Sequence, residues 1–377
     1  MVELRRELHR HPELSWKEHR TAERLEAALN ALNIAEIQRV AGTGVIARVP
    51  GSNRKGPITA IRGDIDALPI HEATGLPFAS EVAGVMHACG HDVHATWAIG
   101  AAMLLAKQPA RGDVLVVLQP AEEMGNGAPA ILATGVLDEV QAIFGGHVDR
   151  RFPVGHVVAQ AGPLAASADA FSIDVFGKGA HGARPHEGID PIVAASAIVG
   201  ALQTIVSRRL DPGAAAIVTI GSIHGGSAPN VIPELVQLTG TLRAMVPDVR
   251  AMLHREVEAV AKSVAAAHGA TVKVSIEHGP PPIVNPEREA GWARAAAERV
   301  LGAGSVVPFG VTNLGGEDFA CYMERIPGCF LRIGAREAGG APAPAHSPKF
   351  VAAEESIFVG AAVLAECARE AAERLGA

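Results

Sequence analysis

The sequence predicts an α/β protein: a mostly parallel sheet flanked by helices, with a smaller ferredoxin-like α+β domain inserted into it. Three observations carry that prediction. Short apolar strands alternate with helices along the first part of the chain. A block in the middle follows the order β-α-β-β-α-β. The length, 377 residues, exceeds what one hydrophobic core usually organises.

Taken in order, Ser15 and Glu18 have the spacing of a capping box and open a helix to about Leu32. Ala22, Leu25, Ala28, Leu29 and Leu32 then recur at helical spacing. Strands are predicted over 44–49, 58–62, 114–118 and 142–145, with a small-residue helix over 93–107. Several of these strands run into polar residues: Arg62-Gly63-Asp64, the stretch Gln119 to Glu123, and His147. Open α/β sheets gather their sites beyond strand C-termini, so these positions are candidates to converge. The middle block places strands at 170–176, 215–222, 236–245 and 271–277, with helices over 191–209 and 247–267. The remainder returns to helix and strand and ends in a long Ala/Glu-rich helix. The expected organisation is a discontinuous domain over 1–164 and 277–377 around an insertion over 165–276.

Composition bounds the rest. Hydrophobic residues make up 48% and charged residues 19%, enough for a large core and against disorder. The net charge of −7 argues against a nucleic-acid partner, which needs a concentrated basic face. Residues 1–10 are charged throughout, unlike a secretory signal. The longest nearly apolar run, 95–106, is shorter than the roughly 20 residues that span a bilayer. Cys89, Cys321, Cys329 and Cys367 do not form a disulfide framework and fit a reducing compartment. The expectation is a cytoplasmic protein with no membrane or nucleic-acid partner. The 16 histidines stand out beside one tyrosine.

The informative stretch is Met86-His87-Ala88-Cys89-Gly90-His91-Asp92-Val93-His94. Imidazole and thiolate suit zinc and neighbouring first-row metals, and no C-x-x-C pair supplies a structural zinc site. Alone, the stretch also reads as a helix start whose histidines cap and whose Cys89 is a buried thiol. Glu122 and Glu123 follow the strand 114–118; one carboxylate of such a pair can ligate a metal while the other acts as general base. Alone, they read as a solvated pair before Gly125-Asn126-Gly127, and His147 and His346 as core or surface histidines. Asp64 and Asp66 also read as turn residues before Pro69, and Glu317 and Asp318 as helix caps. In combination, Cys89, His91, Glu123, His147 and His346 are five donors. That is too many for one catalytic zinc and about right for two metals sharing a bridging group, a role Cys89 can fill.

These segments occur in an order that resembles a known family. They are Arg62-Gly63-Asp64-Ile65-Asp66-Ala67-Leu68-Pro69, His87 to Asp92, Gln119 to Glu123, Gly179-Ala180-His181-Gly182-Ala183-Arg184-Pro185-His186, Gly315 to Phe319, and His346-Ser347-Pro348. The set resembles the dinuclear metallo-amidohydrolases: hippurate hydrolases, bacterial aminoacylases, indole-acetyl-amino-acid hydrolases and N-acetyl-diaminopimelate deacetylases, grouped with carboxypeptidase G and aminoacylase-type metallopeptidases. It covers essentially the whole chain. The resemblance implies a metallopeptidase-like catalytic domain, an inserted lid that also pairs two subunits as a homodimer, and hydrolysis of the amide bond of N-acyl amino acids. It implies that Cys89, His91, Glu123, His147 and His346 bind two divalent ions, whether Mn, Zn, Ni or Co, with Glu122 as general base and Asp66 orienting a ligand. It gives His181 a hold on substrate and oxyanion, and Asn230 and Arg243 contacts with the substrate carboxylate. His87 and His94 are expected to support the ligands. One departure is local: Phe350 is followed by Val351-Ala352-Ala353, where many relatives carry an acidic stretch.

Three other readings compete. Cleavage of small peptides would use the same machinery. A non-catalytic amino-acid or peptide binding protein has no need of Glu122 beside Glu123. A dinuclear phosphohydrolase would want Arg or Lys beside the metals, and Cys89 and Glu123 have none in sequence.

Overall fold

The computed structural model describes residues 1–341 and 343–377. The chain divides into two compact units. One comprises Met1–Gly162, Asn285–Val311 and Asp318–Ala377; the other comprises Pro163–Val284 and Thr312–Glu317. The insertion is thus longer than the expected 165–276. The connection after its last strand stays pinned to it: Asp169 accepts the Gly279 N–H at 3.0 Å, and the Ala168 N–H reaches the Pro280 carbonyl at 3.0 Å. The return at Thr312–Glu317 joins the same unit where the Ala166 N–H meets the Gly315 carbonyl.

The first unit is built on a seven-stranded sheet. Its order is Glu36–Val40, Gly44–Val49, Val114–Gln119, Ile58–Asp64, Val140–Pro153, Gly328–Arg336 and Val157–Val158. The four strands from Val114–Gln119 to Gly328–Arg336 are parallel to their neighbours in that set, and the outer pairings are antiparallel. Val114–Gln119 is buried at every residue, which explains why it reads as an unbroken apolar run rather than an alternation. Against the sheet lie helices His91–Lys107 and Glu355–Leu375, whose small residues let them come close. A Cβ at Gly360 would stand 2.2 Å from the Trp97 ring, so glycine there lets the indole bury completely.

Two expectations need correcting in this unit. The helix expected from Ser15 begins at His19; Glu18 holds its N-cap position, but no side chain makes a cap hydrogen bond there. Their side chains are diverted: the Ser15 hydroxyl donates to Asp66 Oδ2 at 2.7 Å, and Glu18 accepts the Ala121 N–H at 2.9 Å and the Thr43 hydroxyl at 2.6 Å. The strand expected to end at 145 continues to Pro153, because parallel pairing with Gly328–Arg336 carries it on. His147 therefore lies within the strand, opposite Arg332. His9, without a distinguishing spacing in the sequence, is buried, with Nδ1 2.8 Å from Asp92 Oδ2 and Nε2 3.3 Å from Glu72 Oε1.

The second unit carries a four-stranded antiparallel sheet in the order Ala216–Gly225, Leu235–Ala244, Asp169–Phe176, Thr271–Glu277. With helices Pro191–Thr204 and Pro247–Ala267 it has the expected β-α-β-β-α-β arrangement. Phe171, Ile173 and Val175 alternate inward along the first strand and meet the helices in the core. Asp190 opens the first helix by accepting the Ile192 and Val193 N–H groups. The segment Pro191–Arg209 is long and apolar enough by composition to cross a membrane. Its Ala194, Ala195, Ile198 and Leu202 are buried in this unit's own core.

Candidate metal centre

The chemistry-bearing side chains of the first unit come from three loops, the start of one helix and one strand. The chain turns from Cys89 into helix His91–Lys107 through Gly90, which is left-handed with φ +91. A Cβ there would meet Val148 Cγ2 at 2.5 Å, so the turn requires glycine. Cys89 Sγ consequently faces the mid-strand His147, 3.1 Å from its Nε2. His346 is left-handed, φ +65, and its N–H donates to the Ala88 carbonyl at 2.8 Å, tying the late loop to the neighbour of Cys89. Its Nε2 lies 3.5 Å from Glu123 Oε1.

The donor atoms of Cys89, His91 and His147 all lie within 4.8 Å of one another. So do those of Cys89, Glu123 and His346, and those of His91, Glu122 and Glu123. Cys89 belongs to two of these groups. His91 Nε2 stands 3.9 Å from Glu122 Oε2 and 3.8 Å from Glu123 Oε1.

The loop carrying the two glutamates is held from several sides. Ala121, fully buried, is left-handed with φ +52, a conformation that costs an L-residue about 1–2 kcal/mol. The Glu123 N–H donates to Asp66 Oδ2 at 3.1 Å, and the Asp318 N–H lies 3.4 Å from Glu122 Oε1. Asp318 is more than a helix cap: its side chain makes no cap bond and instead meets Arg62 Nη2 at 3.0 Å and Gln119 Nε2 at 2.8 Å. Arg62 Nη1 in turn donates to Asp64 Oδ2 at 2.5 Å, so Asp64 is a buried ion rather than a turn residue.

Behind the donors, the rings of His91, His147 and His94 are held through Nδ1. His91 Nδ1 faces the Asp66 carbonyl at 3.0 Å and Asp66 Oδ1 at 3.2 Å. His147 Nδ1 donates to the Val148 carbonyl at 2.7 Å. His94 Nδ1 donates to Asp64 Oδ1 at 2.6 Å while its Nε2 accepts the Val148 N–H at 3.0 Å, which sets its tautomer. His87 departs from the expectation: both ring nitrogens are buried with no hydrogen-bond partner among the described residues, and burial lowers its pKa to about 4.

Electrostatically the donors are in tension. Burial pushes the Cys89 thiol up to about 12, with Glu123 adding to it. Burial opposes charge on His91, yet Asp64 and the hydrogen bond to Asp66 hold its pKa well above the ordinary imidazole value. Burial, then His94 and Arg332, hold His147 well below that value. A divalent cation fits this pocket. The donor set is the mixed nitrogen, sulfur and oxygen set that first-row metals take. The buried His91 Nε2 and Glu123 Oε1 have no hydrogen-bond partner among the described residues, and each would gain a bond to the cation. A bound cation also supplies the charge that ionised Cys89 needs.

The remaining candidates lie in the second unit. His181 is exposed, with Nδ1 accepting the Ala183 N–H at 3.1 Å. It neighbours Asn230, because Val231 pairs with His181 and the Gly182 N–H donates to the Asn230 carbonyl at 2.7 Å. Arg243 lies on the strand Leu235–Ala244, opposite Ile217. Asp169, His254 and His278 also cluster here, but Arg250, His254 and the Gly279 N–H already occupy both oxygens of Asp169.

The sequence and fold were compared with known proteins. Residues 60–370 match the model of peptidase family M20/M25/M40. N-acetyl-L-cysteine deacetylase of Bacillus subtilis (strain 168) is 41% identical over 371 residues, covering 98% of this chain and 87% of that protein. IAA-amino acid hydrolase ILR1-like 4 of Arabidopsis thaliana is 38% identical over 375 residues, covering 98% and 84%. The crystal structure of a Bacillus subtilis dinuclear metal binding peptidase from the M20 family superposes with a TM-score of 0.87 at 39% identity, covering 99% of this chain and 97% of that one. On the ordered motifs, the fold and these likenesses together, the chain belongs to peptidase family M20/M25/M40 and is a hydrolase of that family.

Proposed function

We propose that this protein hydrolyses the amide bond of N-acyl amino acids, releasing a carboxylic acid and a free amino acid. The observation that carries the reading is two three-donor groups that share Cys89, with Glu122 beside them. In this reading Cys89, His91, Glu123, His147 and His346 would hold two divalent ions. Such ions supply Lewis acidity, polarising an amide carbonyl and making water acidic enough to ionise near neutrality. Support for two ions comes from the likeness to a dinuclear metal binding peptidase.

Glu122 takes the proton of the attacking water on its carboxylate and returns it to the departing amine nitrogen. Its position supports this, because Glu123 next to it faces His346 while Glu122 is approached by the Asp318 N–H. Asp66 fixes the ring of His91. His181 donates a hydrogen bond to the tetrahedral oxyanion, and Asn230 and Arg243 contact the substrate carboxylate; the matching motifs support these roles, and the Arg fork suits a carboxylate. The relatives named for N-acetyl-L-cysteine and for IAA-amino acid conjugates support acylated amino acids as the substrate class. The same reading makes the protein a cytoplasmic homodimer pairing through the inserted unit, for which the exposed Ile192, Val193, Ile223, Val231 and Leu235 speak.

The test is turnover on N-acetyl, N-benzoyl and N-fatty-acyl amino acids after reconstitution with Mn²⁺, Zn²⁺, Ni²⁺ or Co²⁺. Release of free amino acid from at least one class is expected. No hydrolysis of any class with both ions bound would favour a binding protein instead.

A further inference from the structure

We infer that Glu18, far from the ligand motifs in sequence, is a positioning residue that aims the paired glutamates by holding Ala121 in its left-handed conformation. The inference rests on the reading of Glu122 as base and Glu123 as ligand. Ala121 immediately precedes both, so its backbone dihedrals decide where their side chains point. An L-residue does not keep φ +52 in a buried loop unless its surroundings over-determine it.

Glu18 supplies that determination. Its carboxylate, fully buried, accepts the Ala121 N–H at 2.9 Å through Oε1. Its other oxygen is anchored by the Thr43 hydroxyl at 2.6 Å. On the far side of Ala121, its carbonyl accepts the Gly127 N–H at 3.2 Å, and a Cβ at Gly127 would stand 1.7 Å from the Pro120 carbonyl oxygen. The turn is therefore closed tightly from one end by glycine and from the other by Glu18. Helix capping, the role its spacing suggests, is not what this carboxylate does.

The experiment is a rescue. Glu18→Ala removes the acceptor, the loop relaxes out of the left-handed turn, and kcat falls on the order of 10²-fold while apparent metal affinity, read by calorimetric titration, weakens with it. Glu18→Gln keeps a carbonyl oxygen for the Ala121 N–H and retains most of the wild-type kcat. Ala121→Gly adopts φ near +52 without strain, so Glu18→Ala/Ala121→Gly recovers kcat and metal affinity to within a few-fold of Ala121→Gly alone. If Glu18→Ala does not accumulate folded, the last comparison stands by itself. The inference is overturned if Glu18→Ala only lowers the melting temperature with kcat unchanged, if the glycine fails to restore activity, or if Glu18→Gln loses as much as Glu18→Ala. Full activity in Glu122→Gln would instead overturn the underlying reading of the base, which separates the two failures.

Discussion

The Asp66 carboxylate accepts the backbone N–H of Glu123 at 3.1 Å through Oδ2. Its Oδ1 faces His91 Nδ1 at 3.2 Å, and the Ser15 hydroxyl adds a third contact at 2.7 Å. One buried carboxylate therefore sets donors from a helix start and from a separate loop. Burial would raise its pKa, but the hydrogen bond and charge of His91, and the Ser15 hydroxyl, hold it below the ordinary carboxyl value.

Asp66→Asn leaves one oxygen for tasks that now use two. Metal affinity is expected to fall about 10–100-fold, read by competition with a chelator of known affinity. Unchanged affinity would show that Asp66 does not organise the donors.

Glu122→Gln keeps the shape of the side chain and removes its proton-accepting charge. Both ions should remain bound, by elemental analysis, while kcat falls about 10²–10⁴-fold. Near-native turnover with bound ions would remove Glu122 from the chemistry.

Chelation should abolish turnover and also lower the unfolding temperature, because the ions bind only the folded arrangement of Cys89, His91, Glu123, His147 and His346. At an ion concentration of about 100 times Kd the linked stabilisation is about 2.7 kcal/mol per site. A scan that superimposes with and without chelator would contradict a metal site in this pocket.

Glu72 offers a pH test away from the candidate donors. Burial would raise its carboxyl, but hydrogen bonds from His9, Thr74 and the Ser80 N–H lower it from 4.5 to about 2. A depressed folded-state pKa stabilises above the unfolded value, and that contribution is lost as pH falls from about 4.5 towards about 2. The stability gap between wild type and Glu72→Gln, from denaturant unfolding, should therefore narrow across that window. A constant gap would show that Glu72 ionisation is not linked to folding.

Much of the fold was legible in the sequence because its signals are local. Unbroken apolar runs mark buried parallel strands, and the strand Val114–Gln119 is buried as its composition demands. The helix Pro247–Ala267 and the strand Thr271–Glu277 begin and end where proline, glycine and periodicity place them. The candidate donors were legible for a different reason: their residue types carry chemistry that other residues lack. Ser15 and Glu18 mark the limit. Their spacing fits a capping box, but a hydroxyl and a carboxylate bind whichever N–H or oxygen the fold brings near, and that partner lies far along the chain. The partners of His9 and Asp318 went unread for the same cause, since burial beside Asp92 or Arg62 leaves no local trace.

The sequence by itself determined the class of fold, the inserted α+β block and the five donor-type residues with two adjacent glutamates. Tertiary structure alone decided which donors share a neighbourhood, that Cys89 stands in two groups at once, that His147 sits within a strand, and that Asp66 and Glu18 hold the donor loops. The physical reason is range. Propensity and periodicity act over a few residues, whereas a metal site and its supporting hydrogen bonds are set by side chains that only the packed core brings within a few ångströms.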